Sequence, residues 1–260
     1  MKRYPQVVRL MELLKVRNEH VRENNQRIHQ WVESYLRVCL ENNQCVTLLT
    51  PWCLSVGLRK RNETIPTEKE LNLFREDLPS IYQLFKRCSF EVNWFITFHR
   101  GFPDSRRIDF PTERRYKSMI SSLAEPHVRR GWLMLQDWED EILNGKRVQP
   151  HSEVLANPKK FVSEGALERE FLWTKRWLEN ETGLRWKETS VRRDIIYQIA
   201  CEAEEGRFLA GSESPFGQDF LLVPLEVPEQ YDFFSIFAPE FKQRIVSVLP
   251  LYPWRIKDVK

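Results

Sequence analysis

The sequence predicts an α/β protein in which a mainly parallel β-sheet is flanked by helices. Three short apolar segments, near residues 45–50, 90–98 and 131–136, have the composition of strands buried on both faces of a sheet. Segments with helical spacing of apolar residues separate them, and this alternation is typical of βαβ units. Right-handed crossovers between such strands give a parallel sheet of the Rossmann type.

The helices of the first half follow from the apolar periodicity of the chain. Residues 6–43 have helical spacing, and a further helix is predicted from Thr67, where Glu70 completes a capping box. Pro79 indicates a kink or break in that helix. The next helix is predicted over residues 112–124, between the second and third strands.

The second half predicts an added helix pair and two further strands. A polar loop over residues 144–160 precedes long helices at 161–181 and 188–210, which we expect over one edge of the sheet. Strands follow at 219–224 and 245–249. We therefore expect one α/β domain with four parts: an N-terminal helical segment (6–43), a Rossmann-like core (45–140), the helix pair (161–210) and C-terminal strands (219–254).

Composition and the absence of known motifs narrow the class of protein. The start of the chain lacks a signal-peptide core and no apolar run approaches the roughly 20 residues of a membrane span, so we expect a cytoplasmic protein. The five cysteines form no C-x-x-C pair, which argues against structural zinc and a disulfide framework. Glycine-rich nucleotide loops, H-E-x-x-H and G-x-S-x-G are absent, so we expect no cofactor and no metal.

Basic residues are clustered although the net charge is only +3. Such clusters can contact the phosphates of a nucleic acid or of a phosphorylated small molecule, or they can be solvated surface. The clusters considered for binding are Arg59-Lys60-Arg61, Arg114-Arg115 with Lys117, and Arg192-Arg193.

The end of the first strand is a candidate catalytic position. Ser55 and Cys53 follow a buried strand, and ligands of open α/β sheets bind beyond the carboxyl ends of strands. A Ser or Cys there can act as a nucleophile if a neighbouring group takes its proton. The alternative is that Ser55 is a turn residue and Cys53 a packed thiol.

A tyrosine and a glutamate on the last long helix form a second candidate. Tyr197 and Glu202 lie close to the buried boundary of that helix, and such a pair suits positioning an amino group and moving a proton. Their spacing of five residues places them about 140° apart on a regular helix, so a π-bulge or a helix end at Cys201 is needed to bring them together.

The acidic run after the third strand is a third candidate, at Asp137, Asp140 and Glu141. These carboxylates can hold a metal or bind a cationic substrate group such as a guanidinium or an amine, or they can be the charged start of a helix. A pocket lined by them favours a cationic amino acid, whereas one lined by Trp94 and Phe98 favours an aromatic one.

In the order of its elements the sequence resembles the tRNA-dependent cyclodipeptide synthases, which look like catalytic domains of class I aminoacyl-tRNA synthetases. The resemblance implies that Ser55 accepts an aminoacyl group from charged tRNA, that Tyr197 and Glu202 hold its amino group, and that Tyr231 assists. It also implies aminoacyl-tRNA as the partner, bound through the basic clusters.

A second resemblance is to the isonitrile synthases of the pyoverdine and dityrosine type. It depends on the layout of Leu49-Thr50-Pro51-Trp52, Pro66 and Glu70, followed by Phe95-Ile96-Thr97, Gly101 and Asp104. That family condenses an amino acid with ribulose 5-phosphate and uses basic residues for the phosphate. A third hypothesis is a non-enzymatic nucleic-acid-binding or protein-interaction module, in which all these residues are structural.

Overall fold

The computed structural model describes residues 4–17, 26–53, 71–99, 110–142, 149–182, 185–210, 214, 216, 220–223 and 246–248. The helices are α1 (Pro5–Arg17), α2 (Gln26–Glu41), α3 (Leu78–Arg87), α4 (Phe110–Arg129), α5 (Ser152–Ala156), α6 (Glu164–Thr182) and α7 (Glu188–Ala210). The strands are β1 (Val46–Cys53), β2 (Val92–His99), β3 (Leu133–Asp137), β4 (Phe220–Leu222) and β5 (Val246–Val248). Shorter π-helical turns lie at Leu73–Asp77 and Trp138–Ile142, and a 3₁₀ turn lies at Pro158–Lys160.

The strands form one parallel sheet in the order β3-β2-β1-β4-β5. This confirms the predicted α/β fold with a Rossmann-like parallel sheet. The chain adds β2 and β3 on one side of β1 and then returns to place β4 on the other side. The direction of winding therefore reverses between β1 and β4, which is the topological switch point of the sheet.

Each of the first three strands begins shortly after a helix that ends in a left-handed residue. Asn43, Ser89 and Gly131 have φ angles of 50°, 64° and 76°. After Asn43 and Ser89 the backbone N–H reaches five residues back, from Gln44 to Cys39 and from Phe90 to Phe85, as in a Schellman cap. These caps end the helices and direct the chain into the sheet.

Alternation along the strands gives the sheet two apolar faces. The first face packs against helices α1 to α4, and its strand residues include Leu48, Trp94, Ile96, Leu133 and Leu221. The second face packs against the end of α7, and its cluster contains Leu49, Trp138, Leu209, Phe220 and Leu222. A third cluster joins α5, α6 and α7 through Val154, Phe171, Val191, Ile195 and Ile199.

A buried threonine ties the C-terminal strand to the centre of the sheet. Thr50 is fully buried in β1, where its Oγ1 donates to the Val223 carbonyl at 3.0 Å and accepts from Trp94 Nε1 at 2.9 Å. The Val223 N–H donates in turn to the Leu49 carbonyl at 2.7 Å. Because buried polar groups need partners, Thr50 favours this placement of the segment after β4.

Three details differ from the sequence-based expectations. The polar segment 144–160 contains α5, because Val154 is buried in the cluster shared with α7. Helix α4 continues to Arg129 through Pro126, since its last turn still buries Ala124 and His127. The helix pair does not simply cover an edge: the end of α7 packs on the second face of the sheet through Leu209.

Two further findings concern the described residues, and one predicted feature lies outside them. No helix in the described part of the chain combines the length and apolarity needed to cross a bilayer. Cys39, Cys45, Cys88 and Cys201 are free thiols. The predicted capping box at Thr67 and Glu70 lies outside the described residues.

Candidate active site at the carboxyl edge of the sheet

The carboxyl ends of β1, β2 and β3 lie together at one edge of the sheet. The register pairs Pro51 with Thr97 and Thr97 with Gln136, so these positions form one row across three strands. Ligands of open α/β sheets bind beyond this edge, at the switch point between β1 and β4. A π-helical turn, Trp138–Ile142, follows β3 directly, and such turns are frequent at functional sites.

One side of this edge, next to α4, carries cations. We call it the α4 side and define it by Arg114, Lys117 and Asp137. The Lys117 ammonium contacts the Asp137 carboxylate, and the two side chains are 20% and 14% exposed. Arg114 lies one turn before Lys117 on α4 and is exposed. Arg115 is also exposed, but its spacing of two residues places it on the opposite side of the helix from Lys117. Lys117 and Arg114 make this side suitable for an anionic group such as a phosphate.

The other side, next to α7, presents hydrogen-bond acceptors. We call it the α7 side and define it by Thr97, Gln136, Trp138 and Glu205. Glu205 is only 2% exposed, and its Oε1 accepts a hydrogen bond of 3.0 Å from Trp138 Nε1. Thr97 is fully buried, and the side-chain oxygen of Gln136 is buried as well. A carboxylate in this position can hold or move a proton of a bound amine.

Sequence reasoning did not select Thr97, Gln136, Trp138 or Glu205 as site residues. Glu205 carried a signal in the sequence, since Cys201, Glu205 and Leu209 recur at a spacing of four and all three are buried. A glutamate in a buried stripe needs a partner. Gln136 carried a weaker signal, as a polar residue that follows the apolar positions Leu133–Leu135 of the strand and precedes the acidic run.

The predicted pair on α7 remains separated in the structure. Helix α7 runs without interruption from Glu188 to Ala210, so Cys201 is neither a π-bulge nor a helix end. Tyr197 and Glu202 therefore stay about 140° apart around the helix. The Tyr197 side chain is 40% exposed, and the side chain of Glu202 is outside the described residues. Their joint action on one amino group stays a prediction.

The other candidate residues are distributed over several environments. Trp94 is fully buried in the core with its indole N–H on Thr50, and Glu141 is exposed. Asp137 is engaged by Lys117. The side chains of Cys53 and Asp140, and the whole of the following positions, lie outside the described residues: Ser55, Arg59, Lys60, Arg61 and Tyr231.

The predicted basic pair on α7 differs from the basic residues on α4. Arg192 donates to Glu168 at 2.9 Å and to Glu188 at 3.0 Å, and its guanidinium lies 3.9 Å from the centre of the Phe171 ring. The hydrogen bond to Glu168, and then that to Glu188, raises the pKa of Arg192. These contacts give Arg192 a structural role in joining α6 to α7. Arg193 is 80% exposed and lies 3.7 Å from Asp194.

No group of three or more His, Cys, Asp or Glu side chains that could hold a metal ion occurs within the described residues.

The fold and the edge define an α/β protein with a parallel sheet in Rossmann-like order and a polar site at its carboxyl edge. The chain is similar to the solved crystal structure of the PvcA protein from Pseudomonas aeruginosa, with a TM-score of 0.61 and 14% identity. The similarity covers 96% of this chain and 87% of that one, which shows a shared fold. No family model and no curated protein sequence matches the chain.

Proposed function

We propose that this protein is an enzyme of the isonitrile synthase type, which condenses the amino group of an amino acid with ribulose 5-phosphate at the carboxyl edge of the sheet. The fold supports this hypothesis, since PvcA is a protein of that type and the likeness extends over nearly the whole chain. Of the two resemblances in the sequence, the comparison favours the isonitrile synthases over the cyclodipeptide synthases.

The observation that carries the proposal is that the two sides of β3 present different groups, cations on the α4 side and acceptor oxygens on the α7 side. Lys117 and Arg114 on α4 suit a sugar phosphate, whereas Gln136 and Glu205 suit an amine. A condensation of a phosphorylated ketone with an amino acid brings these two chemistries together. Each substrate then has a side of the edge that matches its charge.

The first chemical step needs a group that moves protons between nitrogen and oxygen. The neutral amine attacks the ketone carbon and forms a carbon–nitrogen bond. The nitrogen loses both of its protons as the C=N bond forms, and these protons leave with the former ketone oxygen as water. A carboxylate near the amine can carry those protons, and Glu205, on the side that takes the amine, is suited to this role. Lys117 and Arg114 would hold the phosphate.

Aminoacyl transfer from charged tRNA remains a competing prediction, with Ser55 as nucleophile and Tyr197, Glu202 and Tyr231 in support. The exposed Arg114 and Arg115 fit the phosphates of a tRNA as well as that of a sugar. The two hypotheses differ in the source of the amino acid, which is free in one and attached to tRNA in the other. One assay can supply either source.

The test incubates the full chain with ribulose 5-phosphate and ¹⁵N-labelled free amino acids, and separately with charged tRNA. We expect a labelled product in which the amino nitrogen has gained one carbon and lost two hydrogens, as in the conversion of an amine to an isonitrile. Ribose 5-phosphate serves as a control, because it carries the same phosphate but no ketone. A cyclic dipeptide that forms only from charged tRNA would contradict the proposal and support the competing one.

A further inference from the structure

The side-chain oxygen of Gln136 is a buried acceptor that has no hydrogen-bond donor among the described residues. Buried carbonyl oxygens are nearly always hydrogen-bonded, and those that are not require a specific explanation. Because β3 places Gln136 one residue before its carboxyl end, this oxygen lies at the carboxyl edge of the sheet, two strands from the switch point beside β1.

The surroundings of Gln136 specify which kind of group would satisfy it. Thr97 is its register partner on β2, so the two side chains share the second face of the sheet. Trp138 follows two residues later and directs its indole N–H to the buried carboxylate of Glu205. Carbonyl and carboxylate oxygens on one side attract a positively charged donor, and an ammonium group offers both charge and three N–H donors.

We propose that Gln136 binds the amino group of the amino-acid substrate through its side-chain oxygen. This inference rests on the proposed function, because it assigns one of the two substrates to the α7 side. Gln136 is then a binding residue that accepts a hydrogen bond from the ammonium group, while the α4 side binds the phosphorylated substrate. This assignment holds whether the amino acid binds before or after the sugar phosphate.

The experiment measures binding by calorimetry with matched pairs of ligands that differ only in the amino group. The pairs are L-phenylalanine with 3-phenylpropionate, L-leucine with 4-methylpentanoate, and L-arginine with 5-guanidinopentanoate. Each is titrated into the full-length protein, with and without ribulose 5-phosphate. We expect the amino acid of at least one pair to bind about tenfold or more tightly than its partner, since hydrogen bonds to charged groups are among the stronger ones.

Substitutions at Gln136 assign that preference to its oxygen. Gln136→Leu should remove the preference for the amino acid and leave the affinity of the des-amino partner unchanged. Gln136→Glu keeps an acceptor and adds a negative charge, so the preference should be kept or enlarged; this variant also serves if Gln136→Leu does not fold. Gln83→Leu is the matched control, because Gln83 is exposed on α3.

The outcomes separate this inference from the proposed function. An amino-group preference that is lost in Gln136→Leu supports the inference even if no isonitrile forms with ribulose 5-phosphate. A preference that persists unchanged in Gln136→Leu overturns it, and so does the absence of binding for every amino acid tested. Isonitrile formation with unaltered Michaelis constants in Gln136→Leu would uphold the proposed function and overturn the assignment of Gln136.

Discussion

The two sides of the carboxyl edge differ in charge although they meet at consecutive residues of one strand. Gln136 lies on the face covered by α7, and Asp137 lies on the face covered by α4, where it contacts Lys117. Successive side chains of a strand point to opposite faces, so a single step along β3 changes the chemistry from neutral acceptor to ion pair. The pleat of one strand can thus separate two substrate ends without a separate domain.

The sides also differ in how deeply their carboxylates are buried. Glu205 is almost completely buried within an apolar cluster and is held by an indole N–H. Asp137 is partly exposed and is held by an ammonium. We therefore expect substitution of Glu205 to lower mainly the free energy of unfolding. Substitution of Lys117 or Asp137 should have a larger effect on ligand affinity.

The largest expected effect concerns Glu205. Glu205→Ala leaves the Trp138 N–H without that acceptor and opens a space beside Leu209, so the free energy of unfolding should fall by about 2–3 kcal/mol. Urea denaturation monitored by tryptophan fluorescence measures it. Glu204→Ala is the neighbouring control: its side chain is 25% exposed and pairs with Arg207 at the surface, so it should cost less than about 1 kcal/mol. Equal losses in the two variants would show that the burial of Glu205 and its bond to Trp138 contribute nothing beyond a surface ion pair.

A smaller effect is expected for the pair on the α4 side. A double-mutant cycle with Lys117→Met and Asp137→Asn should give a coupling energy of about 1–2 kcal/mol, between the values for exposed and buried pairs. The same cycle on Lys160 and Glu153, which are 64% and 66% exposed, should give less than about 0.5 kcal/mol. Lys117→Met should also weaken binding of ribulose 5-phosphate while leaving amino-acid binding unchanged. A coupling energy no larger than that of the exposed pair would show that the α4 side is ordinary surface.

The smallest expected effect concerns an exposed ion pair, Lys159 with Glu164, which serves as a surface reference for the carboxylates of both sides. The hydrogen bond from Lys159, followed by its charge, lowers the pKa of Glu164 below 4.5. A lowered folded pKa means that this contact contributes above pH 4.5 and is lost as the pH falls through the lower folded value. In NMR titrations Lys159→Ala should raise the pKa of Glu164, whereas Lys175→Ala should leave it in place. An unchanged Glu164 pKa in Lys159→Ala would contradict the ion pair.

The elements of the fold were predictable because their signals are local. The apolar segments 45–50, 90–98 and 131–136 correspond to β1, β2 and β3, and the long periodic segment 188–210 corresponds to α7. Helix ends were less predictable: the helix expected over residues 112–124 extends from Phe110 through Pro126 to Arg129. There the burial of His127 outweighs the preference of the backbone.

The site was predictable in its place but not in its residues. The edge beyond the strands and the basic residues Arg114, Arg115 and Lys117 followed from the sequence. Glu205 did not, because its importance depends on Trp138, which is 67 residues away in the chain. The spacing of Cys201, Glu205 and Leu209 indicates a buried position for Glu205 but does not identify its partner, because contacts of that kind arise from tertiary packing.

The position of β4 has a consequence for the order in which the molecule is made. The central strand β1 pairs with β2 after some forty residues, but its other side pairs with β4 and Thr50 bonds to Val223 across 173 positions. While the chain emerges from the ribosome, one edge of β1 lacks its native partner until residues near 220 have been synthesised. Unpaired strand edges recruit other strands, so this interval is when the nascent chain would depend most on a chaperone.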